Sequence, residues 1–115
     1  MKTGIALVLL VALAPAVAIA HHGWSGYDSA STLNLEGTIT DAGYEHPHGF
    51  LRLETPGKTW LVVLAPPSRM ENRGLPRDML KPGTKVSVVG YPKRDDPGEM
   101  RAERITIAGK TTELR

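Results

Sequence analysis

The four histidines of this chain lie in two short clusters, His21-His22 and His46-Pro47-His48. Neutral imidazole is a common ligand for divalent transition metals, and nitrogen-rich sites suit Cu(II) and Ni(II) in particular. The sequence contains no cysteine, so thiolate metal sites and disulfides are excluded. These residue types therefore favour a site for one Cu(II)-like ion, with His21, His22, His46 and His48 as candidate ligands. The alternative is that the histidines are solvated or cap backbone groups.

The first histidine cluster follows an apolar leader. A lysine near the start, an uncharged apolar run over residues 5–13 and the small-residue motif Ala18-Ile19-Ala20 predict a signal peptide over residues 1–20. We therefore expect a periplasmic or secreted protein with no stable membrane insertion after cleavage. Pro15 interrupts the run, which argues against the alternative of a membrane-spanning helix. Cuts after Ala18 or Ala16 satisfy the same cleavage rule, although Ala20 is preferred.

Cleavage would change the chemistry of the first cluster. A cut after Ala20 makes His21 the first residue, so its α-amine and one ring nitrogen could chelate a metal together. That arrangement is similar to the histidine brace of copper oxygenases and some periplasmic copper carriers. A cut after Ala18 instead places His21 third, in a motif that binds Cu(II) or Ni(II) through backbone nitrogens and imidazole. Both cuts predict copper as the cofactor, by different geometries.

Charge and length limit the classes of function. The chain has 14 Lys and Arg against 12 Asp and Glu, and one lysine leaves with the leader. This near-neutral balance argues against a nucleic-acid partner, which requires a concentrated basic face. The remainder is long enough for one small domain. No nucleophile stands at a readable spacing from a base, so we expect no enzyme.

Alternation of apolar and polar residues predicts an all-β domain. Gly37, inside the first strand, suggests a bulge or bend, and Ser68 is a plausible N-cap of a short helix over residues 69–73. This order matches a five-stranded OB-like Greek-key barrel, with a small β-sandwich as the alternative. The predicted strands cover residues 33–40, 50–54, 59–65, 85–91 and 101–108. The predicted units are an arm (21–31), the barrel (32–108) and a frayed tail (109–115).

Aromatic residues supply a second candidate surface. Trp24, Tyr27 and Tyr44 could form a surface for a ligand or partner, as in some barrels of this type. The simpler interpretation is that Trp24 anchors the arm and that Trp60 belongs to the core.

Several segments carry a resemblance to a known family. The chain resembles the small exported bacterial proteins of the domain of unknown function 6152 family, whose members begin with a His-His-Ser-like start and carry an Asn-Pro-His turn. Here Gly23 replaces that serine and His46 replaces that asparagine. The resemblance implies export and fold but no activity. It rests on His21-His22, Trp24-Ser25-Gly26-Tyr27-Asp28, Leu35-Glu36-Gly37-Thr38-Ile39, Pro47-His48, Leu80-Lys81-Pro82-Gly83 and Val88-Val89-Gly90-Tyr91-Pro92.

The sequence as a whole predicts an exported binding module that holds one Cu(II)-like ion. The alternatives are a metal-free adaptor that binds another exported or membrane protein, and a small-ligand-binding domain. Oligomeric state is left open by the sequence.

Overall fold

The computed structural model describes residue 4 and residues 23–115. The predicted cleavage site, His21 and His22 lie outside the described residues, so the predictions made for them stay predictions. No helix within the described residues is long and apolar enough to cross a membrane.

Six strands form one sheet in the order β3-β2-β1-β4-β5-β6, and all neighbouring pairs in that order are antiparallel. A parallel pairing of β3 with β5, from Leu61 opposite Glu99 to Val63 opposite Arg101, closes the first five strands into a barrel. The predicted OB-like barrel is confirmed. The strands are β1 (Leu33–Gly43), β2 (Phe50–Thr55), β3 (Lys58–Val63), β4 (Lys85–Lys93), β5 (Asp96–Ile107) and β6 (Lys110–Glu113).

β1 shows why the alternating pattern produces the barrel. Leu33, Leu35 and Ile39 face the core, as their period of two requires. The register shift predicted near Gly37 falls instead between Ile39 and Asp41. Gly37 has a different role, because a Cβ there would collide with the backbone oxygen of Glu54. Its missing side chain lets β2 approach β1 closely.

One α-helix, α1 (Pro67–Asn72), and a 3-10 turn (Arg77–Met79) lie between β3 and β4 in the described chain. The predicted N-cap is wrong: the helix begins at Pro67 and no side chain caps it. Proline suits the first helical position, because its missing N–H would have no partner there. Met70 of α1 is fully buried, and its methyl group lies where a side chain at Gly49 would be. The helix thus packs against the barrel through Met70.

The C-terminal third departs most from prediction. β4 continues through Pro92 to Lys93, and β5 begins at Asp96, so the predicted break between the strands at 85–91 and 101–108 is a tight hairpin. The segment predicted to be a frayed tail forms β6, and Leu114 just after it is buried in the core. Trp60, predicted to be in the core, is half-buried, with the Lys58 ammonium 3.7 Å from its ring centroid.

Candidate functional site

The N-terminal arm, here residues 23–31, is held against the β4–β5 hairpin by backbone hydrogen bonds. Tyr27 pairs with Lys93 as an isolated bridge, and the Asp28 N–H donates to the carbonyl of Pro92 at 2.9 Å. The Arg94 N–H donates back to the carbonyl of Gly26 at 3.0 Å. Although proline has no N–H for a strand partner, its carbonyl remains an acceptor. The arm uses that acceptor and extends the hairpin.

A partly buried side-chain hydrogen bond reinforces this attachment. The Tyr27 hydroxyl donates to the Glu99 carboxylate at 2.6 Å, and the Lys93 ammonium lies 3.9 Å from the same oxygen. Only 13% of the Glu99 side chain is exposed. Burial and the adjacent carboxylate raise the pKa of Tyr27 well above its usual range, because both disfavour a phenolate. The hydroxyl therefore remains a donor.

Arg101 joins the arm to the turn around Pro47. This β5 residue is 7% exposed, and its Nη1 donates to the Gly23 carbonyl at 3.1 Å. Its Nη2 lies 3.4 Å from Nε2 of half-buried His48. Because a guanidinium has only donors, Nε2 of His48 must be the acceptor, which assigns the ring proton of neutral His48 to Nδ1. One side chain thus holds the residue that follows His22 beside the second histidine cluster. His46 lies exposed in that cluster.

Trp24 lies against two arginines. The guanidinium carbons of Arg101 and Arg115 are 4.3 and 4.8 Å from its ring centroid. The rings of Tyr27 and Tyr91 meet the indole edge-on, with centroids 6.4 and 6.1 Å away. These contacts place an aromatic and cationic surface on the outer side of the arm.

A pocket of about 240 Å³ opens on this surface. It is lined by Trp24, Ser25, Tyr27, Ser29, Tyr91, Arg94 and Arg115.

Tyr44 lies elsewhere. It is buried, and its hydroxyl donates to the carbonyl of Leu75 at 2.6 Å. Burial raises the pKa of Tyr44. The structure thus brings Trp24 and Tyr27 of the predicted ligand surface together and places Tyr44 in the core.

Arg101, Arg115 and Tyr91 were absent from the prediction. Alternation does not signal Arg101, because a register shift between Ala102 and Arg104 in the β4–β5 pairing puts Arg101 out of phase with the buried Ile105.

Among residues 23–115, no group of three or more His, Asp or Glu side chains is placed to hold a metal ion. A complete ligand set would therefore need His21 or His22, which lie outside the described part of the chain. His48 is the predicted ligand that the structure places beside the arm.

The comparisons with known proteins agree with this fold. A family of unknown function, DUF6152, matches residues 8–101. The chain belongs to this family. The DUF6152 match extends from residue 8 through the Pro47 turn to Arg101, and it confirms the family that the sequence resembles. No curated protein matches the chain significantly.

Among solved structures, the chain is similar to part of a chain in the crystal structure of a complex of TiaS with a tRNA and ATP. The TM-score is 0.53 at 22% identity, and the match covers 77% of this chain. It spans only 20% of that chain, and at this identity the likeness shows the fold alone.

Proposed function

We propose that the chain is an exported binding module whose site forms between the N-terminal arm and the Pro47 turn. In this proposal signal-peptide cleavage after Ala20 frees the α-amine of His21. That amine, the His21 ring and the His48 ring bind one Cu(II)-like ion, with His22 or His46 completing the set. Nitrogen ligands of this kind are those that Cu(II) prefers.

One observation carries the proposal. The Gly23 carbonyl and the His48 ring contact two nitrogens of the same Arg101 guanidinium, at 3.1 and 3.4 Å. Gly23 is two residues from His21, so the arm approaches the turn at the end where the predicted ligands lie. The arm's hydrogen bonds to Pro92 and Arg94 hold it in that place.

Arg101 also sets a condition on metal binding. The lone pair of His48 Nε2 accepts from Arg101, and a bound ion would need that same lone pair. Uptake must therefore displace the guanidinium from His48. The displacement opposes binding, since it separates a hydrogen-bonded pair and leaves two cations close together.

The test is a calorimetric titration of Cu(II) into protein whose first residue is His21, with no tag before it. We expect about one equivalent to bind, more weakly at acidic pH because protons compete for the ligands. His48→Ala should weaken binding by about tenfold or more, the range expected for lost metal-site support. A protein extended by two residues before His21 should lose affinity similarly, because its α-amine becomes an amide.

Asn72→Ala, an exposed change at the end of α1, serves as the control and should bind as the unmodified protein does. The proposal is overturned if no copper binds, or if replacing both His21 and His48 by Ala leaves uptake unchanged. Absence of uptake would favour the metal-free adaptor.

A further inference from the structure

Arg101 is a buried cation without an anion. It is 7% exposed, and its Nε has no hydrogen-bond partner. The ion pairs within 4.0 Å in the described chain involve Lys93, Arg104 and Arg115 as cations, and Arg101 takes part in none of them. Glu99 lies two residues before Arg101 on β5, but its carboxylate accepts a hydrogen bond from the Tyr27 hydroxyl and forms no ion pair with Arg101. A buried charge without a counter-ion is unfavourable even where some of its N–H groups are hydrogen-bonded, so its presence needs a reason.

The undescribed part of the chain supplies no acidic side chain. Residues 1–22 contain no Asp and no Glu. A carboxylate side chain that neutralises Arg101 therefore cannot come from the leader or from the histidine pair. The counter-charge must come from outside those segments, and a bound anion is its simplest source.

The neighbouring charged groups strengthen the positive potential at Arg101. Arg115 lies against the same indole, and Arg69, which donates to the Leu114 carbonyl at 3.0 Å, is close enough to act on Arg101 electrostatically. Burial first, and then Arg69 and Arg115, lower the pKa of Arg101, while Tyr27 opposes the shift. Arginine remains charged even so. Clustered guanidinium groups with free N–H donors are how proteins bind carboxylate and phosphate oxygens.

We propose that Arg101, supported by Arg69 and Arg115, binds the oxyanion group of a small ligand, a carboxylate or a phosphate, beside Trp24. The unpartnered Nε of Arg101 is the donor assigned to that group. Arg101 does not itself line the pocket of about 240 Å³, but Trp24 and Arg115 of the same cluster do, together with further aromatic side chains and the exposed Arg94. This pocket suits a small organic ligand that stacks on the aromatic side chains lining it. None of the donors is a predicted metal ligand, but Arg101 also contacts His48, so the anion is tested on metal-free protein.

The experiment uses metal-free protein that begins at His21, with Trp60→Phe so that Trp24 is the one remaining indole of the two in the chain. Sodium phosphate, sodium acetate and vesicles containing phosphatidylglycerol are titrated separately against sodium chloride at equal ionic strength. Indole fluorescence and the thermal midpoint are recorded. We expect a saturable fluorescence change and a rising midpoint, because a ligand that binds only the folded state stabilises it. A response to phosphate, acetate or vesicles identifies a phosphate, a carboxylate or a lipid headgroup as the source of the oxyanion.

Three substitutions assign the response to the guanidinium cluster. Arg101→Met should abolish it, because the variant lacks the donor assigned to the oxyanion. Arg115→Gln, at an exposed position, should weaken binding about tenfold, as expected for loss of a charge-assisted contact. Arg52→Gln, the matched control on the exposed face of β2, should leave the response unchanged.

The proposal fails if no anion acts beyond chloride, or if Arg52→Gln weakens the response as much as Arg115→Gln does. It also fails if Arg101→Met lowers the midpoint and retains the response, because Arg101 would then be only a structural anchor. Should Arg101→Met not fold, Arg115→Gln and Arg69→Gln decide between these results.

Discussion

Tyr27→Phe tests whether the arm is part of the folded domain or a loosely attached segment. The substitution removes a single oxygen atom and keeps the aromatic ring beside Trp24. What it breaks is the 2.6 Å hydroxyl–carboxylate bond to Glu99, which joins residues 72 positions apart in the sequence. The attachment of the arm to β5 should weaken as a result.

The magnitude follows from the acceptor and its burial. A hydrogen bond to a charged group contributes about 1.5–3 kcal/mol. The lower end applies here, because Tyr27 is half-buried and the Lys93 ammonium, 3.9 Å from Glu99, still partly compensates the carboxylate. A loss of about 1.5 kcal/mol in the free energy of unfolding would lower the thermal midpoint by roughly 6–12 °C for a domain of this size.

Urea unfolding and amide hydrogen exchange measure the two consequences. The amides of Asp28 and Arg94, which bond the arm to the hairpin, should exchange faster in Tyr27→Phe. The matched control is Tyr91→Phe, which removes a 2.9 Å bond to Glu103 between residues only 12 positions apart. It should cost less, because Arg104 and Arg115 still contact Glu103. If both variants lose equal stability, or if the two arm amides keep their protection in Tyr27→Phe, the arm is not held as described.

Two further predictions concern titration and backbone packing. The pKa of each of the three tyrosines is raised by burial or an adjacent carboxylate, so the stability they contribute is present below pH about 10 and is lost as pH rises through the folded-state values. Ultraviolet difference spectra of the folded protein should therefore show less phenolate at pH about 10 than the urea-unfolded chain does, and equal phenolate in the two states would contradict this. Gly37→Ala should destabilise the barrel by about 1–3 kcal/mol in urea unfolding, because the new methyl group meets the Glu54 carbonyl. Gly26→Ala, which enters open space, should change stability little, and equal losses would refute the close approach.

Elements with strong local patterns could be predicted from the sequence. Pro56 and Gly57 are residue types that favour a turn, and they stand between the predicted strands at 50–54 and 59–65; Gly57 has φ +77° there, as a glycine turn allows. Each end of α1 lies within two residues of the predicted span. Its predicted N-cap, Ser68, is wrong because the helix begins at a proline and no side chain caps it. Local chemistry thus places elements better than it places their ends.

β6 shows where local pattern fails. Its residues are mostly polar, and four residues are too few to show a convincing period of two. The strand forms because β5 presents an open edge over Arg104–Ile107 and because Leu114 can enter the core. The first condition is local, since β5 and β6 are joined by the Ala108-Gly109 turn, but the burial of Leu114 depends on the rest of the barrel.

The candidate site likewise contains residues that the sequence could identify and one that it could not. His48 and Trp24 could be selected from residue type, since imidazole and indole are uncommon and chemically distinctive. Arg101 could not, because an arginine in a strand of mixed polarity is ordinarily exposed. Its burial follows from barrel closure, which pairs β5 with both β3 and β4 and places the arm over its side chain.

The amino-acid sequence by itself determined the alternating strands, the turns, the barrel class and the two histidine clusters, because each depends on neighbours within a few residues. Only the tertiary structure decided which of these features meet. The approach of the arm to the Pro47 turn, the attachment of Tyr27 to Glu99 and the contacts of the buried Arg101 guanidinium all join residues far apart in the chain. Such contacts arise from strand register and barrel closure, and no local pattern encodes them.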